Sequence, residues 1–206
     1  MSTSPPPEPA RDADVPAAAR VTVTTWYLEQ TEPREPGPAR RPAPGAEVRI
    51  ERAAVPSPEF SRFLYTAVGQ DVAWTDRLPW GLARWRAHLE RPGVETWVVY
   101  ERGTPGGFVE LTAQDAGVVE ISYFGLLPAF RGRGLGGLLL AEGTARAWDL
   151  AGRWPDREPT RRVWVHTCSQ DGEHALENYR RRGFRLYDTR VGQEPYAAQP
   201  GPWPGA

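Results

Sequence analysis

Tyr123-Phe124-Gly125-Leu126-Leu127-Pro128-Ala129-Phe130-Arg131-Gly132-Arg133-Gly134-Leu135-Gly136-Gly137 is the stretch on which the fold turns. It begins as the apolar end of a strand over Val118–Leu127 and finishes as the opening of a long helix near Leu135. The glycines between allow tight turning, so that several backbone N–H groups face one point. The first helical turn adds unpaired N–H donors and the positive end of its dipole, and Arg131 and Arg133 add charge, which together suit a phosphate or pyrophosphate. On the loop alone, a glycine-rich turn that merely starts a helix is the alternative, because short glycine patterns are weak evidence.

Upstream of this stretch the chain reads as an antiparallel meander. Glu95–Glu101 and Phe108–Thr112 are predicted strands joined by the turn signal at residues 102–107, and the Asp115-Ala116-Gly117 loop leads into the third strand. A dinucleotide-binding Rossmann unit needs its glycine turn after the first strand of a parallel βαβ unit, so a meander in that place excludes it. Earlier still, Ser57-Pro58 signals a helix start, with Phe60, Phe63, Leu64 and Ala67 at helical spacing. Leu78, Leu82, Trp85 and Leu89 predict a second helix that Pro92-Gly93 ends, and the loop between the two holds Gly69, Asp71, Trp74 and Asp76. Glu47–Ala53 and Arg20–Glu29 alternate as strands. Downstream, Leu138, Ala141, Ala145 and Trp148 predict the buried stripe of the long helix. Arg162–Thr167 then reads as a strand, His174–Arg182 as a short helix and Phe184–Thr189 as the last strand. The expected fold class is a mixed α/β domain with antiparallel and parallel pairing.

The 206 residues suffice for one globular domain with loose ends. The 22 prolines crowd into residues 5–16, 33–44 and 195–204. Residues 1–19 are therefore expected to be a disordered Pro-rich leader and 191–206 a Pro/Gly-rich tail. A single domain spans 20–190, with its core at 46–190, an extra strand at 20–29 and a Pro-rich loop at 32–45. A formal net charge of -1 removes the electrostatic case for a duplex nucleic-acid binder. No apolar run is long enough to span a membrane and no secretion signal opens the chain, so a cytoplasmic location is expected. The sequence contains 25 Lys+Arg residues, all of them arginine. The missing lysine excludes a Walker-type phosphate loop and lysine Schiff-base chemistry.

Residues 123–136 resemble the fourth strand and the Arg/Gln-x-x-Gly-x-Gly/Ala coenzyme A loop of the GNAT superfamily of N-acyltransferases. Ala175-Leu176-Glu177-Asn178-Tyr179-Arg180-Arg181-Arg182-Gly183-Phe184 is similar to that family's second signature, Ala-x-x-x-Tyr-x-x-x-Gly-Phe. The resemblance implies a mixed sheet splayed between the fourth and fifth core strands, with acetyl-CoA bound in the opening as co-substrate and no metal. It implies that main-chain amides of Gly132, Arg133, Gly134, Leu135 and Gly136, at the loop Arg131–Gly137, hold the pyrophosphate. It also implies that main-chain groups around Leu126 and Leu127 pair with the pantetheine arm, and it places Gly125 at the bulge that opens the sheet. Gly172 stands where the family often has asparagine. The implied reaction is transfer of an acetyl group to a small-molecule or peptide amine acceptor through a ternary complex. Homodimers are common among the proteins the chain resembles.

Moving an acyl group from a thioester to an amine needs a base, a donor for the oxyanion and an acid for the departing thiolate. Glu120 is the candidate base, on the expectation that it shares a strand face with Ser122 and Phe124; its position is similar to that of the catalytic glutamate in the histone acetyltransferase branch. A strand-edge glutamate facing water is the alternative. Tyr179, matching the tyrosine of the second signature, is the candidate acid, with core packing as its alternative. A backbone N–H near Leu126 is the candidate oxyanion donor. Cys168 is more readily a buried residue than a nucleophile, and His166 with His174 lacks a third metal ligand. Phe60, Phe63, Tyr65, Trp74, Trp80 and Trp85, with Asp71 and Asp76, would suit a cationic or aromatic amine, though aromatics at helical spacing are more often core. A non-catalytic acyl-CoA-binding module of the same fold is the competing function.

Overall fold

A computed structural model of the chain describes residues 20–34, 47–72 and 74–195. The expected leader at 1–19, most of the Pro-rich loop at 32–45 and residues 196–206 of the expected tail lie outside them. In chain order the elements are β1 (Arg20–Gln30), β2 (Val48–Arg52), α1 (Pro58–Gly69), α2 (Leu82–Leu89), β3 (Val94–Glu101), β4 (Thr104–Ala113) and β5 (Val118–Leu126). They continue with α3 (Leu135–Trp148), β6 (Arg162–Cys168), α4 (Ala175–Arg181) and β7 (Arg185–Pro195). The expected strands and helices are all present. The long turn expected at 102–107 shrinks to Arg102-Gly103, and β7 runs on to Pro195, past the expected end of the domain.

The described residues form one seven-stranded sheet in the order β2-β3-β4-β5-β6-β1-β7. Every neighbouring pair is antiparallel except β5 and β6, which are parallel because α3 carries the chain across one face between them. The strand from the start of the chain, β1, is inserted between β6 and β7. Sequence order alone gives no hint of that insertion.

Helices cover both faces. On one, Leu135, Leu139, Leu140 and Ala147 of α3 pack with Val109, Leu111, Val119, Ile121, Val163 and Val165 from the sheet, and Tyr179 and Phe184 extend the same core under α4. The expected stripe of α3 is therefore corrected: Ala145 is exposed, and Leu138, Ala141 and Trp148 are only partly buried. Three consecutive leucines at 138–140 leave the helical phase open in the sequence, and the start at Leu135 settles it. On the other face, Leu64 and Val68 of α1 pack on Val98 and Phe108. Ser57 caps α1, its hydroxyl accepting the Phe60 N–H at 3.2 Å, a contact worth about 1 kcal/mol. Phe63, expected on the buried face of α1, is 46% exposed, and Leu82, expected on that of α2, is 53% exposed; Trp85 is the buried residue of α2. Leu78 precedes α2, in a turn closed by its N–H on the Thr75 carbonyl.

Strands β5 and β6 pair only over Val118–Ile121 and Arg162–Val165. Beyond those residues the ladder stops, although β5 continues to Leu126 and β6 to Cys168, so the sheet opens between them. A bulge falls at the same place. On β4, Leu111 faces Ile121 but Glu110 faces Tyr123, which leaves Ser122 as the extra residue. The bulge reverses the alternation beyond it. Phe124, expected to share a face with Glu120, turns to the α3/α4 side and meets Tyr179 at a ring separation of 6.1 Å. Tyr123 and Gly125 stay on the α1/α2 side. Gly125 is thus not the bulge residue. Its lack of a side chain serves the approach of α1, since a Cβ there would lie 2.5 Å from Val68 Cγ1.

Candidate active site

The loop after β5 is built as the sequence suggests. A short 3-10 turn at Pro128–Phe130 leads into Gly132 (φ 73°) and Gly134 (φ 86°), both left-handed, and Gly134 is the residue from which α3 starts. L side chains are strained there by about 1–2 kcal/mol, which is the reason for glycine. No side chain caps α3 and its first turn holds no acid, so the N–H groups of Leu135, Gly136 and Gly137 have no cap and no carboxylate competitor. A Cβ built on Gly132 meets nothing within 4 Å, so the loop's outer side is open. Uncapped donors beside left-handed glycines fit a diphosphate.

The two loop arginines are not free charges in this arrangement. Arg131 holds both carboxylate oxygens of Asp71, in the loop after α1, and its Nε donates to the Leu126 carbonyl at 3.1 Å. Arg133 pairs with Glu101 at 2.6 Å. Leu126 and Leu127 also differ from each other. The Leu127 N–H is used by the Gly106 carbonyl of β4 at 2.9 Å. By strand alternation the Leu126 N–H points the other way, into the opening toward β6. Of the pair, Leu126 is the one with a donor at the cleft.

Glu120 sits on β5 just before the ladder ends, opposite Trp164 of β6. Its side chain is 18% exposed, so it is not a strand-edge group in open water. Gln114 Nε2 donates to Glu120 Oε2 at 3.0 Å, and Gln114 Oε1 accepts the Trp164 indole N–H at 3.2 Å, which fixes the amide's orientation. The other carboxylate oxygen, Oε1, faces His166 Nδ1 at 3.8 Å. Burial pushes Glu120 above the usual carboxylate range, against the opposing pull of His166.

Above Glu120, the loop from α1 to α2 brings a buried cluster that sequence reasoning missed. Arg77 grips Glu110 of β4 with both guanidinium arms at 2.9 and 2.8 Å, and His88 Nε2 meets Glu110 Oε1 at 3.0 Å. Burial alone would raise Glu110, but the His88 and Arg77 bonds outweigh it and hold the carboxyl below its usual range. The guanidinium lies over the Tyr123 ring at 4.3 Å and the Trp80 ring at 4.8 Å. Asp76 accepts the Tyr65 hydroxyl at 2.9 Å and the Tyr123 hydroxyl at 2.6 Å. The expected aromatic acceptor wall is therefore divided. Tyr65 and Trp85 are core, Phe60 and Phe63 stack on each other at 6.4 Å, and Trp74 packs edge-on against Tyr123 at 4.8 Å. A polar glutamate in the middle of β4 was the available signal for this cluster.

Tyr179 is buried on α4, between Phe124 and Phe184, and burial raises its phenol. Its hydroxyl makes no hydrogen bond to any described residue. Tyr179 and Glu120 thus stand on opposite faces of the sheet, on either side of the opening. Burial also pushes the Cys168 thiol up, away from a thiolate nucleophile. His166 turns to Glu120, whereas His174 stands at the start of α4.

The family model for the acetyltransferase (GNAT) family matches residues 60–184. No curated protein matches the sequence. Among solved structures, the chain is similar to a GCN5-related N-acetyltransferase from Sphaerobacter thermophilus, with TM-score 0.58 and 19% identity over 82% of this chain and 50% of that one. It is similar also to a GCN5-related N-acetyltransferase from Kribbella flavida, with TM-score 0.53 and 23% identity over 87% of this chain and 61% of that one. A third, from Novosphingobium aromaticivorans and described as a GNAT-family acetyltransferase, gives TM-score 0.52 and 18% identity over 89% and 69%. The chain spans half to three fifths of the length of the first two. These likenesses concern the fold: a mixed sheet with helices on both faces. The matched segment takes in the whole path from α1 through the glycine loop and the opening to Phe184, and by it the chain belongs to the acetyltransferase (GNAT) family.

Proposed function

We propose that the protein is an N-acyltransferase that moves an acetyl group from acetyl-CoA to an amine by direct attack within a ternary complex. The observation that carries this is the coincidence, at one end of β5, of the sheet opening past Ile121 and the uncapped start of α3. Main-chain amides from Gly132 to Gly136 hold the diphosphate, and the Leu126 N–H serves the arm of the thioester or its carbonyl oxygen. The thioester supplies an activated acyl group, so no covalent intermediate on the chain is needed.

Glu120 takes the proton from the incoming ammonium. Its burial favours that role, because a carboxylate raised toward neutrality is a better base near pH 7 than a fully solvated one. Tyr179, on the other side of the opening and with its hydroxyl uncommitted, donates to the departing sulfur. The acceptor enters from the α1/α2 side, past Asp76 and Tyr123, where negative charge and aromatic edges suit a cationic small molecule or peptide amine. A homodimer and a cytoplasmic setting are part of the proposal.

The test is thiol release from acetyl-CoA across a panel of amines. Release that depends on an amine, with the acetylated amine found by mass, supports the proposal. Tight binding of acetyl-CoA with no release across a broad panel favours the binding module instead.

A further inference from the structure

Glu120 is confined, so a proton it accepts needs a way out. Its Oε2 is held by Gln114, itself locked by Trp164, and only Oε1 is left to exchange a proton. The group facing Oε1 is His166 of β6, which is 45% exposed at its side chain. Three placements put it there. Parallel pairing sets Glu120 beside Trp164, two-residue alternation puts His166 on the same face as Trp164, and Tyr27 of β1, which pairs with His166, lies against its ring at 6.0 Å. The Trp164 ring lies 6.0 Å from the imidazole and 6.4 Å from Tyr27, so the three rings form one cluster. With Nδ1 turned to Glu120, Nε2 is the nitrogen left to meet water.

We infer that His166 relays the acceptor's proton from Glu120 to solvent, acting through Glu120 as a positioning residue and resetting the base for each turnover. The inference rests on the reading of Glu120 as the base. The step balances simply. The ammonium gives one proton to Glu120 as its nitrogen becomes nucleophilic; the C–N bond forms and the C–S bond breaks; Tyr179 gives its proton to the departing thiolate, and the nitrogen's second proton restores the phenol. Glu120 then passes its proton to His166 Nδ1, and the imidazolium releases one from Nε2 to water. The Nδ1–Oε1 separation of 3.8 Å is longer than a direct hydrogen bond, and one side-chain rotation or one water closes it. The other charged groups acting on Glu120 are Glu110 of β4 and Arg77 of the α1–α2 loop; both are locked in their own buried pair, which leaves His166 as the exchangeable partner.

The test uses the full chain, acetyl-CoA and whichever amine gives turnover, following acetylated amine so that acetylation of imidazole does not interfere. His166→Ala is expected to lower kcat by about ten- to a hundredfold, with KM for acetyl-CoA unchanged, and added imidazole is expected to restore part of the rate. His166→Gln, which keeps volume and hydrogen bonding but carries no proton, is expected to be equally slow. Imidazole should do nothing for Glu120→Gln. Full activity in His166→Gln would overturn the relay and leave His166 a packing residue. A wild type that binds acetyl-CoA but acetylates no amine, or a fully active Glu120→Gln, would overturn the parent reading with it. A slow Glu120→Gln beside a fully active His166→Ala would overturn the relay alone.

Discussion

Arg131 grips Asp71 with both guanidinium arms, so the first arginine of the glycine loop is tied to the loop that follows α1. The pair is half-exposed, and such pairs contribute about 0.2–1 kcal/mol. A diphosphate at the start of α3 competes with Asp71 for the same cation. Asp71→Ala is therefore expected to tighten coenzyme A binding by about two- to fivefold, read by calorimetry. Unchanged or weaker binding would place Arg131 outside the phosphate site.

Gly134 is left-handed where α3 begins. Gly134→Ala should lower stability by about 1–2 kcal/mol, a few degrees in Tm, and weaken coenzyme affinity as the donors shift. Gly134→Glu should abolish binding, because a carboxylate would confront the diphosphate. A folded Gly134→Glu protein with wild-type affinity would refute this placement of the loop.

Glu120 lies above the ordinary carboxylate value of 4.5 because it is buried. A raised folded value means the charged form burdens the native state above that range, so Glu120→Gln should leave Tm equal or higher at pH 7 while lowering kcat about a hundredfold or more. For the wild type, kcat/KM should rise with pH as Glu120 ionises. A variant that loses both stability and rate would make the residue structural.

The fold was legible where its signals are local. The Ser57 cap, the glycine loop, the β3–β4 turn and the alternation of β5 are short-range features; the structure keeps the first two, shortens the turn to Arg102-Gly103 and keeps the alternation as far as Ile121. What could not be read depends on contacts far apart in the chain. The bulge at Ser122 is set by pairing with β4, and it reverses which face Phe124 occupies. The insertion of β1 between β6 and β7, the His166–Glu120 approach and the Arg77–Glu110 pair all need the assembled sheet. His166 was visible only as half of a doubtful metal pair with His174, because the parallel register that sets it near Glu120 has no local signature.

Arg77 and Glu110 make the most buried ion pair described. Removing one partner strands the other's charge, so Arg77→Ala should cost about 3–5 kcal/mol. Glu110 is held below 4.5 when folded, so its contribution is complete above that pH and is lost as pH falls through the folded value. Acid titration of Tm should show a steep loss below about pH 4.5 in the wild type, and a shallower one in Arg77→Ala. Parallel curves would contradict the assignment.

Tyr179→Phe removes a hydroxyl without a hydrogen-bond partner among the described residues, so stability should change by less than about 0.5 kcal/mol. Coenzyme affinity should hold while kcat falls about ten- to a hundredfold. An unchanged rate would leave the tyrosine as packing against Phe124.

Calorimetric titration of acetyl-CoA into the folded protein tests the central claim most directly, since everything else requires that the opening between β5 and β6 receives that molecule. The account predicts a one-to-one isotherm with Kd of about 1–100 μM, weakened by competing coenzyme A and absent in Gly134→Glu. No heat, and no thermal shift, with any coenzyme A derivative would contradict it.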